Sequence, residues 1–155
     1  MTPQQKIFLH EAFHAAKLSG HIFPEMAACE AALESRYGTS ALAVECKNLF
    51  GLKQHMHPLF GTHVLPTKEV IDGKWVALNS SWIVYPDWAA CFSDRMATLK
   101  RLASVYLHYK NALAAASATT YVMEVSRTWS TDPKRGEDVL AIYDEMAGDW
   151  DAISS

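Results

Sequence analysis

Ala31-Ala-Leu-Glu-Ser-Arg-Tyr-Gly-Thr-Ser40, followed closely by Asn48-Leu-Phe-Gly-Leu-Lys53, is the stretch on which the reading of this chain turns. Upstream, Pro24 suits a first helical position and Glu25 complements the positive end of the dipole just behind it. A helix is predicted over Glu25 to Arg36. Met26, Cys29, Leu33 and Tyr37 recur at helical spacing and form one apolar stripe. Gly38 is the expected C-cap, and Thr39 or Ser40 caps a short third helix running to about Cys46. Glu34 therefore falls on a last helical turn. There the negative end of the dipole disfavours a second negative charge, and Glu30, one turn earlier on the same face, repels it.

Working outward, a first helix is predicted from about Pro3 to Lys17, with Ile7, Phe8, Ala12 and Ala15 as its core stripe, ended by Ser19-Gly20. From Leu49 to Tyr85 the character changes. Gly51, Pro58, Gly61, Pro66 and Gly73 interrupt the chain, and His63-Val-Leu65 and Trp75-Val-Ala-Leu78 read as short strands. Ile71-Asp-Gly-Lys74 carries the Asp-Gly signal of a tight hairpin. Beyond Pro86 the helical period returns, with helices expected over Trp88 to Tyr106, Tyr109 to Ala116, Thr119 to Thr128 and Pro133 to Met146. Helices, a hairpin insertion over about residues 52–85, then more helices give a single α+β domain, mostly α, spanning residues 1–155. Such a layout makes two lobes with a cleft between them.

The 155 residues, half of them hydrophobic and a fifth charged, suit one ordinary globular domain. A net charge of -3 leaves no basic footprint for nucleic acid. No apolar run reaches the roughly 18 residues that span a bilayer, so no membrane insertion is expected. Met1 to Leu9 lacks the apolar core of a secretory signal. Cys29, Cys46 and Cys91 are odd in number and unclustered, which reads as reduced core thiols. The seven His include His55, His57 and His63 in the insertion, but their spacing matches no tight zinc signature, and no metal is expected. Five Trp exceed what a core of this size needs, and surplus aromatics often line carbohydrate grooves.

The two quoted stretches together resemble the glucosaminidase domain of glycoside hydrolase family 73, where an Ala-Leu-Glu-Ser-Gly-Trp-Gly-like run precedes an Asn-Asn-Leu-Phe-Gly-Ile-Lys-like one. Thr67-Lys-Glu-Val-Ile-Asp-Gly73 is similar to the family's Thr-x-Glu hairpin. Trp82-Ile-Val-Tyr-Pro-Asp-Trp-Ala-Ala-Cys-Phe92 resembles its Phe-Arg-x-Tyr segment, and Trp129-Ser-Thr-Asp-Pro133 its Tyr-Ala-Thr-Asp-Pro motif. These matches keep the family's order across about residues 20–145. The resemblance implies a lysozyme-like fold, no cofactor, and hydrolysis of the peptidoglycan β-1,4 bond between N-acetylglucosamine and N-acetylmuramic acid.

Glu34 then stands where the family carries its acid, and the chemistry fits, since a glycosidase needs a carboxylic acid to protonate the leaving oxygen. Without the resemblance it reads equally as a solvated helix-end residue, or as a partner of Arg36 or Lys53. Glu30 reads as structural. Glu69 corresponds to the hairpin glutamate proposed to activate water or stabilise an oxocarbenium-like transition state; a surface glutamate is its rival reading. A third route, attack by the substrate's own N-acetyl group, needs no close second carboxylate. The resemblance places Asn48 and Phe50 at the cleft floor, Phe50 being equally readable as core, and Tyr85 and Trp129 at the cleft as substrate-binding aromatics.

Trp129 departs from the family's usual Tyr, exchanging a hydroxyl for a larger stacking face. Arg36 departs from its usual Gly. Asp132-Pro133 reads as helix capping. The rival functions are a muramidase or lytic transglycosylase on the same fold, and a glycan-binding domain that no longer cuts. The expected partner is the peptidoglycan glycan strand, met by a monomer, although the mild acidity of the chain gives no electrostatic help in reaching an anionic wall. Lacking a signal, the chain is expected to be made in the cytoplasm and to reach the wall or periplasm by holin-type release or dedicated secretion.

Overall fold

The computed structural model describes residues 1–54 and 60–154; His55, His57 and Pro58 lie outside the described residues. In chain order the elements are α1 (Pro3–Leu18), α2 (Pro24–Ser35), α3 (Ala41–Cys46), β1 (Thr62–Ile71), β2 (Lys74–Ile83), α4 (Trp88–Leu102), α5 (Leu107–Leu113), α6 (Ala118–Trp129), α7 (Arg135–Met146) and α8 (Asp149–Ser154). This is the expected α+β, mostly α, architecture.

The centre of the larger lobe is α2. Met26, Ala27, Ala28, Cys29, Glu30, Ala31, Ala32 and Ser35 are all buried, so the helix is enclosed on nearly every side rather than along one stripe. Its alanines allow this, because small side chains let α1 and α7 approach its axis closely. The same enclosure puts a carboxylate, Glu30, at 0% exposure in the middle of the domain. The buried face of α1 is Phe8, Leu9, Ala12, Phe13 and Ala16. The predicted stripe was turned by about one residue, since Ile7 is 57% exposed. All three cysteines are free and buried.

Local signals set most helix starts. Thr2 and Gln5 form a reciprocal capping box on α1, and Ser40, Asp87 and Ser117 cap α3, α4 and α6. Asp132 differs from expectation. Its carboxylate accepts from the Lys134 N–H at 2.9 Å and closes the turn ahead of α7, whose N-cap is Lys134.

The smaller lobe is one antiparallel hairpin, β1 paired with β2, turning through Asp72 and Gly73 at φ 50° and 77°. Its strands are ten residues each, longer than the short strands predicted. Pro66 was read as a break, yet a two-stranded ribbon has only edge strands, where a missing N–H is tolerated. Cross-strand pairing puts Leu65, Thr67 and Glu69 on one face with Ser80, Leu78 and Val76. These positions are half-buried while their neighbours, Ser81 apart, are exposed, so Glu69 belongs to the less exposed face of the ribbon.

The end of α2 also corrects an expectation. The C-cap is Arg36, in the left-handed region at φ 51°, its N–H donating to the Ala32 carbonyl; Tyr37 and Gly38 follow at φ 55° and 76°. A non-glycine residue in this region costs roughly 1 kcal/mol. Arg36→Gly is therefore expected to stabilise the domain by about 1 kcal/mol, seen as a rise in melting temperature of about 2–4 °C. An unchanged or lower melting temperature would show that the Arg36 side chain makes up for its backbone.

Candidate active site

A cleft of about 530 Å³ opens where the two lobes meet. It is lined by Glu34 from the end of α2, Phe50-Gly-Leu-Lys53, and Ile83 from the end of β2. The far wall is Thr98, Arg101 and Leu102 of α4, Tyr109 of α5 and Trp129 at the end of α6. Glu34 is the only carboxylate among these described residues. Its residue as a whole is exposed at the helix end, whereas its side chain is only 26% exposed.

What holds Glu34 there is an arginine that the sequence reading passed over. Arg135, the first residue of α7, is 2% exposed. Its Nε donates to Glu34 Oε1 at 2.8 Å, its Nη2 to Glu30 Oε2 at 2.8 Å and its Nη1 to Ser126 Oγ at 2.9 Å. Glu30 is gripped a second time by Arg95, whose Nη1 and Nη2 reach Oε1 at 3.0 Å and Oε2 at 2.7 Å. Burial alone would push the Glu30 carboxyl up, but the two guanidinium charges and their hydrogen bonds outweigh it and hold it down at about 2. Where the rival reading paired Glu34 with Arg36 or Lys53, its partner is instead Arg135. Glu30 meets Glu34 as one member of a compensated ion cluster, not as a bare repelling charge.

Around the cluster, Arg95 Nη1 also donates to the Tyr121 hydroxyl at 3.2 Å, and that hydroxyl lies 3.2 Å from His21 Nε2. His21 Nδ1 accepts from the Phe23 N–H at 3.0 Å, which makes Nε2 the protonated nitrogen of a neutral ring. Burial first, and the Arg95 charge second, lower the His21 pKa to about 4. The guanidinium of Arg95 lies between two aromatic faces, 4.6 Å from the centre of the Phe50 ring and 4.4 Å from that of Trp129. The half-buried Trp129 is thereby fixed on its face by a cation, edge-on by Phe50 and by a tilted contact with Tyr109.

The other predicted site residues divide. Phe50 lines the cleft although it is 3% exposed and mostly core. Asn48 does not line it. Its Nδ2 donates to the Leu52 and Ile83 carbonyls at 2.8 and 3.0 Å, and its Oδ1 accepts from the Leu52 N–H at 3.0 Å. That buried amide is consumed in clamping the cleft-floor turn to β2. Tyr85 is not at the cleft either. It is 2% exposed, packs against Phe60 and donates its hydroxyl to Asp94, with burial and that hydrogen bond pushing the phenol up.

Glu69 lies on the hairpin and is joined to the cleft through Lys53, whose Nζ sits 2.6 Å from Glu69 Oε1 and over the Trp82 ring. Among the described residues, no group of three or more His, Cys, Asp or Glu is placed to hold a metal. His63 is half exposed, 3.5 Å from Glu45.

Residues 10–148 match the family model described as glucosaminidase, mannosyl-glycoprotein endo-beta-N-acetylglucosaminidase. The chain belongs to the glucosaminidase family. Within and around that family, it is 27% identical over 93% of its length to a probable N-acetylmuramidase of Lactococcus lactis subsp. cremoris strain MG1363, covering 34% of that protein. It is 26% identical over 92% of its length to the exo-glucosaminidase LytG of Bacillus subtilis strain 168, covering 51% of it. The chain thus spans about a third to a half of the length of these curated relatives. Its fold is that of the catalytic domain of the autolysin Auto from Listeria monocytogenes, with a TM-score of 0.81 at 21% identity over 94% of this chain and 85% of that one. The glycoside hydrolase domain of Salmonella typhimurium FlgJ superposes with a TM-score of 0.74 at 20% identity over 99% and 94%.

As a glucosaminidase-family member with a buried ion cluster, the domain carries a definite acid response. Folding favours neutral His21 and ionised Glu30. Both contributions are complete above the ordinary histidine value of 6.5; that of His21 fades towards pH 4 and that of Glu30 from about 4.5 towards 2. The melting temperature is expected to fall throughout this range on acidification. Glu30→Ala, which strands two buried guanidinium groups, is expected to cost about 3–5 kcal/mol, whereas Lys6→Ala in the exposed pair with Asp149 costs less than about 1 kcal/mol. Thermal unfolding across pH, with both variants, checks this.

Proposed function

We propose that the chain is a peptidoglycan hydrolase, an endo-β-N-acetylglucosaminidase cutting the β-1,4 bond on the reducing side of N-acetylglucosamine, with Glu34 as general acid. The observation that carries the reading is Glu34 itself, a partly exposed carboxylate lining the cleft and fixed by Arg135 at 2.8 Å. A glycosidase acid has to reach the leaving oxygen in a defined geometry, and a carboxylate tethered by a buried guanidinium meets that requirement.

The rest of the cleft supports a charged glycan. Trp129 offers a held aromatic face for a sugar ring, and Lys53 and Arg101 place two cations at the cleft, suited to the carboxylates of muramic acid and its peptide. Glu69, on the half-buried face of the hairpin and paired with Lys53, is proposed to assist water or the developing positive charge. Acid–base hydrolysis of this kind needs no cofactor. The domain is proposed to act as a monomer on wall peptidoglycan. Among the described residues no helix is long and apolar enough to cross a membrane.

The names of the Lactococcus relatives favour a second reading, in which the same acid cleaves the other glycosidic bond as a muramidase. Mass spectrometry of a peptidoglycan digest separates the two: new N-acetylglucosamine reducing ends are expected, and muramic ends would replace the first reading with the second. In a turbidity assay, Glu34→Gln is expected to lose at least about 10²–10³-fold in rate and Glu69→Gln about 10-fold or more. Undiminished clearing by Glu34→Gln would remove it as the acid.

A further inference from the structure

We propose that Arg135 is a positioning residue that decides which oxygen of Glu34 carries the catalytic proton; this rests on Glu34 being the acid. Each edge of the Arg135 guanidinium is committed, Nε to Glu34, Nη2 to Glu30 and Nη1 to Ser126. The group is 2% exposed and bonded to α2 and α6 from its own position on α7, so it cannot turn without breaking charged hydrogen bonds. The hydrogen bond from Nε therefore falls always on Oε1.

In a protonated carboxyl group the carbonyl oxygen is the better acceptor, and the oxygen bearing the proton is the poorer one. The N–H of a cation at Oε1 makes that oxygen the carbonyl and sends the proton to Oε2. Oε2 has no hydrogen-bond partner within the protein among the described residues, and the side chain lines the cleft. In the transfer, the Oε2–H bond breaks as the proton bonds to the glycosidic oxygen. The electron pair of the breaking C–O bond stays with that oxygen. Glu34 is left as a carboxylate, and the cluster closes with two positive side chains, Arg95 and Arg135, against two negative ones, Glu30 and Glu34.

The test is a comparison of leaving groups. Arg135→Lys keeps the charge but cannot hold three partners in one plane. On glycan strands it is expected to lose about 10²-fold in kcat with KM within about 3-fold. On a glycoside of the same sugar with a dinitrophenyl leaving group, which departs without a proton, the loss is expected to stay within about 3-fold. Ser126→Ala removes one anchor, leaves every charge in place and keeps the test open should the lysine variant not fold; the same selectivity at about 3-fold amplitude on glycan is expected. Equal losses on both substrates, in a protein whose Glu34→Gln variant still shows the leaving-group-selective defect, would overturn the role of Arg135 and leave the acid standing. Absence of that selectivity in Glu34→Gln would overturn the acid, and the positioning role with it.

Discussion

Glu30 is a carboxylate without water, and much of the active-site side of the domain follows from what that costs. An ion of this size taken out of solvent loses several kcal/mol of hydration even after relaxation. Two arginines from separate helices restore it, Arg95 from α4 and Arg135 from α7, with Tyr121 of α6 beside them. A single buried charge thus fastens three helices to the central one. What is left of each arginine then builds the cleft: the spare edge of Arg135 holds Glu34, and the flat face of Arg95 backs Trp129 and Phe50.

This division explains why the two lobes contribute differently. The helical lobe supplies a carboxylate held in position by a hydrogen-bonded ion cluster of low solvent exposure. The hairpin supplies Glu69 through a half-exposed ion pair with Lys53, where solvent screens the attraction and the net gain is below about 1 kcal/mol. Glu34 is held by a framework that costs several kcal/mol to disturb. Glu69 is held by much less. On the proposed reading, a firmly held Glu34 and a lightly tethered Glu69 suit a site that admits a glycan strand and still aims one proton.

The sequence made the architecture legible because its signals were local. Capping residues, the Asp-Gly turn and the helical spacing after Pro86 placed the elements close to their observed limits, and α8 and the full length of the hairpin were what they missed. The cleft position of Glu34 was legible from its motif. The ion cluster was not, since Glu30, Arg95 and Arg135 are far apart in sequence and their meeting depends on helix packing. A signal existed nonetheless. Glu30 is the one buried charge among the alanines of an enclosed helix, and Arg95, with Asp94 beside it, interrupts the buried run Cys91, Phe92, Met96 and Leu99. A charge set in a largely apolar face invites pairing. Asn48 and Tyr85 lie away from the cleft lining for a related reason: their polar atoms satisfy buried backbone groups and Asp94.

The central claim is that this cluster aims Glu34 at the bond to be cut. A crystal structure of the Glu34→Gln protein with a bound peptidoglycan oligosaccharide examines it most directly. The account predicts a glycosidic oxygen within about 3 Å of the residue 34 side chain, with a sugar ring against Trp129 and the Arg135 contact intact. A glycan seated elsewhere, or one whose glycosidic oxygens all lie beyond hydrogen-bond reach of residue 34, would contradict it.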